Sequence, residues 1–66
     1  MNMTKENLIN SVLAVNYIGA QGQVLPSDEM REELSTGDWA CDCDGETFER
    51  LDDHGYRTGE KFAAQK

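Results

Sequence analysis

A chain of 66 residues with 13 acidic and 6 basic side chains has a formal charge of −7 and a pI near 4.4. That balance argues against direct binding to DNA, RNA or anionic membranes, because holding phosphates needs cations. No apolar run approaches the roughly 18 residues of a membrane span, and at this length one small domain is expected, with little core of its own and a disulfide, a metal or a partner chain as the usual reinforcement.

Thr4 is a good N-cap, and Leu8, Ile9, Val12, Leu13 and Val15 after it recur on one helical face. The spacing predicts a helix over about residues 5–18, with Tyr17 and Ile18 in its last turn and Gly19 beyond its end. This helix is expected to supply the core through Leu8, Val12 and Val15, along with Leu13 or Ile9, against the Trp39–Phe48 face. Pro26 and Ser27 open a second helix over about 28–35, capped by Ser27. Asp28 and Glu29 stand where the dipole favours negative charge. Met30 and Leu34 face inward, Glu29, Glu32 and Glu33 face outward, and Gly37 ends it.

From residue 38 the period falls to two. Trp39, Cys41 and Cys43 alternate with Asp38, Ala40, Asp42 and Asp44, and Asp44-Gly45 is a favoured pair for a two-residue hairpin turn. With the turn there, Cys41 faces Phe48 and Trp39 faces Arg50. Trp39, Cys41 and Phe48 then share one face, and Asp42, Thr47, Glu49 and Leu51 the other. A second turn at "DDHG" leads to Tyr56 and a third strand, giving a β-meander over about 38–58 and a polar C-terminal tail over about 59–66. The expected fold is α+β, two N-terminal helices packed on one face of a small antiparallel meander.

Both cysteines, the sole histidine and six of the acids fall between Trp39 and Gly55. A calcium loop fails on spacing. With Gly45 at the sixth position, Ala40 and Leu51 stand where oxygen ligands are required. A zinc site would draw on Cys41, Cys43 and His54 with Asp52 or Asp53. Zinc sites usually bring a second ligand pair, which this chain lacks, so the thiols read as small reduced hydrophobes. A Cys41–Cys43 bridge would be strained. His54 has no nucleophile and orienting group assigned to it, so no enzyme, cofactor or metal is expected.

The charge is uneven. Residues 1–27 sum to zero, residues 28–55 to −9 and residues 56–66 to +2. In so small a domain this self-repulsion costs stability, which suggests that the acidity has a use. The expected function is that of a non-enzymatic inhibitor or regulator that docks on the basic surface of a nucleic-acid-handling protein, in its sharpest form a DNA mimic. The residues expected to meet the partner are Glu29, Glu32, Glu33, Asp42, Asp44, Glu49, Trp39 and Tyr56, the aromatics (with Tyr17) as anchors if they are exposed. The alternatives are a structural module that forms homodimers through the first helix, and a zinc-stabilised minidomain. The N-terminal "MNMTKENLIN" lacks the pattern of a signal peptide, so a cytoplasmic location is expected. The profile resembles small phage or mobile-element (viral) accessory proteins in type, with no motif behind the likeness.

Overall fold

The computed structural model describes residues 4–42 and 45–65. In chain order it holds α1 (Lys5–Asn10), β1 (Tyr17–Gly19), β2 (Val24–Leu25), α2 (Ser27–Thr36), β3 (Trp39–Cys41), β4 (Thr47–Leu51) and β5 (Arg57–Ala64). The strands form one antiparallel sheet in the order β2-β1-β5-β4-β3. The chain is therefore a small α+β domain, but only one short helix precedes the sheet. A two-stranded hairpin separates α1 from α2.

Thr4 caps α1 as expected, its Oγ1 accepting from the Asn7 N–H at 3.1 Å. The helix does not run to residue 18. It stops at Asn10, where the Ser11 hydroxyl donates to the Leu8 carbonyl at 2.7 Å and competes with the helical ladder. The apolar residues beyond it enter irregular chain and then β1. Val15, Tyr17 and Ile18 are β-branched or aromatic and suit a strand.

The α2 helix covers the expected segment with one residue added at each end. Pro26 rather than Ser27 takes the cap position, and no side chain bonds there. Proline at this point has no N–H to leave unpaired. Met30 and Leu34 face the core and are fully buried. Gly37 ends the helix, its N–H reaching the Glu33 carbonyl.

The β3–β4 register matches the expectation, with Trp39 opposite Arg50 and Cys41 opposite Phe48. Gly45 has φ +84°, and its N–H lies 3.3 Å from the Cys41 sulfur. The other half of the expected turn, Asp44, lies outside the described residues, as does Cys43.

The largest departure is at the C-terminus. The segment read as a polar tail is most of β5, the central strand. It joins the β1–β2 hairpin to the β3–β4 hairpin, pairing Phe62 with both Gly19 and Phe48. Near its start the ladder slips. Glu49 faces Lys61 while Leu51 faces Arg57, so Thr58, Gly59 and Glu60 bulge opposite Arg50. Gly59 adopts φ +85° there, and the Thr58 hydroxyl donates to the Arg50 carbonyl at 2.8 Å.

The core is one cluster: Leu8 from α1, Val12 from the loop, Met30 and Leu34 from α2, and Tyr17, Trp39, Phe48 and Phe62 from the sheet. Of the residues of the first segment expected in the core, Leu8 and Val12 are buried, whereas Val15, Leu13 and Ile9 are only partly so. The sheet's members of the cluster occupy one side by strand alternation. Among the described residues no helix is long and apolar enough to cross a membrane.

Candidate functional site

Three arginines organise the acidic residues. Arg31 reaches Asp28 one turn back on α2, at 2.8 Å. Arg50 lies over the Trp39 ring, 4.5 Å from its centroid, and donates to Glu33 at 2.8 Å and Glu60 at 2.9 Å. Burial pulls the Arg50 guanidinium down, but the hydrogen bond with Glu33 and the Glu60 charge outweigh it and hold the group above its ordinary value. Trp39 completes the cluster by donating from Nε1 to the Glu33 carbonyl at 3.0 Å. The β3–β4 hairpin is thus tied to the end of α2 by a ring, a cation and a carboxylate.

On the other side of the sheet Arg57 donates to Asp42 at 2.6 Å and to Glu49 at 2.7 Å. Those two carboxylates raise its pKa above the ordinary value, Asp42 contributing more. Glu49 is only 3% exposed, and its second oxygen accepts the bulged Gly59 N–H at 2.9 Å. The expectation that Glu49 faces solvent is therefore corrected. It lies on the predicted side of β4, but Arg57 and the bulge of β5 close over it.

Trp39 needs a similar correction. At 5% exposure it is a core residue and not an exposed anchor, and Tyr17 is completely buried. Tyr56 is 71% exposed in the β4–β5 connection. There the Asp52 carboxylate accepts the His54 and Tyr56 N–H groups at 2.8 and 2.9 Å. Glu33 and Asp42 are committed to Arg50 and Arg57. Asp44 lies outside the described residues.

Beside the exposed Tyr56, the expected carboxylates that remain unpaired among the described residues are Glu29 and Glu32, exposed one turn apart on the outer side of α2. Residues at this spacing project side by side from a helix. Neither has an ion-pair partner among the described residues, and the cation between them, Arg31, is taken by Asp28. Strand alternation gave no signal for these pairings, because Arg57 and Glu60 enter them only once β5 is known to be a strand.

Of the zinc alternative, Cys41 is half-buried, His54 is exposed and Cys43 lies outside the described residues. Among the described residues no three of the His, Cys, Asp and Glu side chains are grouped so as to hold a metal ion. A shallow pocket of about 300 Å³ opens between the β1–β2 turn and the bulge of β5, lined by Gln21, Gln23, Thr58, Glu60, Lys61 and Phe62 among others. It brings together side-chain amides, one hydroxyl and one opposed charge pair, with no thiol or imidazole in its lining.

No family model matches the chain, and no curated protein or solved structure shows a significant similarity to it.

Proposed function

We propose that the protein is a small non-enzymatic regulator whose acidic helical side docks on a basic surface of a protein that handles nucleic acid, acting there as an inhibitor and partial DNA mimic. The observation that carries this reading is the uncompensated pair Glu29 and Glu32 on α2, beside arginines that are already spent on other carboxylates. Two carboxylates on a rigid helix are held in place while the one cation between them, Arg31, is balanced by Asp28, so their charge is left to steer a basic partner. Tyr56 is the exposed aromatic available to anchor such a complex. The phage or mobile-element setting and a cytoplasmic location belong to the same proposal.

The test is affinity capture from host lysate at low and high salt, with the wild-type chain and an E29K/E32K double variant side by side. A basic nucleic-acid-binding protein that is captured by wild type, released by salt, displaced by duplex DNA and absent from the variant lane supports the reading. Capture that survives both salt and the double reversal removes it.

A further inference from the structure

The sheet has a second face, and among the described residues no helix lies on it. Strand alternation from the core residues Phe48 and Phe62 assigns Val24, Ile18, Ala63, Thr47, Ala40 and Leu51 to that side. An antiparallel sheet turned to water normally shows polar residues at such positions. These six, five apolar and one threonine, share the side with Glu49, Arg57 and Lys61, so apolar residues hold five of its nine sheet positions. Val24 is 52% exposed and Ala63, on the central strand, is exposed as well.

The charges on this face differ from those of the rest of the molecule. Arg57 and Lys61 stand against Asp42 and Glu49, which sum to zero in a chain of net −7. Through α2, with Asp28, Glu29, Glu32 and Glu33 against Arg31, two copies would meet carboxylate to carboxylate. Across this face they would not.

We propose that the open sheet face is a homodimer interface, on which a second copy of this chain packs sheet against sheet. The short side chains Ala40, Ala63 and Thr47 allow two such sheets to approach to the usual spacing of about 10 Å. Five strands of 3, 2, 3, 5 and 8 residues, about 4.8 Å apart, present roughly 350 Å² per copy, so the dimer is expected to be weak and reversible. Packing the neutral faces together turns both α2 helices, with Glu29 and Glu32, outward on opposite sides of the dimer.

The experiment is sedimentation equilibrium of the full chain from about 10 μM to about 1 mM, at low and high salt, with Ala63→Arg and Val24→Lys beside wild type. Wild type should pass from monomer to dimer, and salt should strengthen the dimer by screening the repulsion between two acidic chains, the opposite of its effect on a basic partner. Each variant should weaken dimerisation at least tenfold. Because a variant can fail to fold, a dilution series of wild-type amide spectra is read in parallel, and its concentration-dependent shifts should centre on Ile18, Val24, Thr47 and Ala63. A wild type that stays monomeric at about 1 mM overturns the proposal. So does a dimer whose amide shifts map to α1 or α2, or one that folded A63R and V24K leave intact. E29K/E32K separates the two proposals, since it should abolish partner capture and spare the dimer.

Discussion

The Tyr17 hydroxyl, fully buried, donates to the Gly45 carbonyl oxygen 28 positions later in the chain and accepts the Leu13 N–H at 2.9 Å. One side chain thereby fixes both the loop after α1 and the turn between β3 and β4. Tyr17→Phe keeps the ring against Phe48, 5.5 Å away between centroids, and strands two polar backbone groups. Thermal unfolding should show a loss of about 1–3 kcal/mol. Little change in stability would mean that water takes over both bonds.

The same phenol predicts an alkaline limb. Burial, the largest influence, raises the Tyr17 pKa above its ordinary value of 10.0 despite the opposing bond from Leu13. The folded state holds this proton more tightly than the unfolded state does. Its contribution is complete below the unfolded pKa and is lost as pH rises through the folded one. Stability should fall above about pH 10 in wild type and fall less steeply in Y17F, measured by denaturant midpoints. Parallel limbs would show that Tyr17 is not the group responsible.

Gly45 is constrained twice. Its φ is positive, and a Cβ there would stand 1.8 Å from the Ser11 carbonyl oxygen, a backbone atom that cannot swing aside. Gly59 shares the positive φ, yet a Cβ there would meet nothing within 4 Å. Gly59→Ala should cost only the left-handed backbone penalty of about 1–2 kcal/mol, whereas Gly45→Ala should cost more than that and displace the loop from Ser11. Equal melting temperatures for the two variants would contradict the close approach.

Glu49 holds the bulge of β5. Glu49→Ala leaves the Gly59 N–H without its acceptor and should destabilise by about 1–3 kcal/mol. Amide exchange should quicken at Gly59 and Glu60 before it does at Phe62. Uniform quickening along β5 would mean that the carboxylate supports the whole strand and not the bulge.

Leu34 is completely buried between α2 and the sheet. Leu34→Ala should cost about 2–5 kcal/mol and unfold much of a domain this small, whereas Glu32→Ala, two residues from both Met30 and Leu34 on the outer side of the same helix, should change stability little. Circular dichroism melts of the pair check the orientation of α2.

The features legible in the sequence are those written in local chemistry. Thr4 before an acidic turn, Met30 and Leu34 four apart, and Gly37 after them each mark a helix boundary or face, and the spacing around Asp44-Gly45 sets the β3–β4 register. The segment after Asn10 misled because Val12, Leu13, Val15 and Ile18 satisfy a helical period as well as a path from loop to strand. Only the tertiary partners Ala63 and Val24 of Ile18 decide between them. β5 was hidden for a different reason. Phe62 is its one buried residue, since Lys61 and Ala63 project from a face that no helix among the described residues covers and Glu60 turns to Arg50, so its composition reads as a tail. Without β5, the pairing of Glu49 with Arg57 and of Arg50 with Glu60 could not be foreseen, and neither could the ion pairs that leave Glu29 and Glu32 as the unpaired members, among the described residues, of the expected docking carboxylates.

The most direct test of the acidic docking surface is the association rate of the captured partner with wild type and E29K/E32K, measured by stopped flow across a range of ionic strength. The account predicts a wild-type rate that falls steeply with salt, a variant rate at least tenfold lower at low salt and nearly flat across the range, and a melting temperature for the variant equal to or above that of wild type, because reversing exposed like charges relieves self-repulsion. Equal rates and equal salt dependence for the two proteins would contradict it.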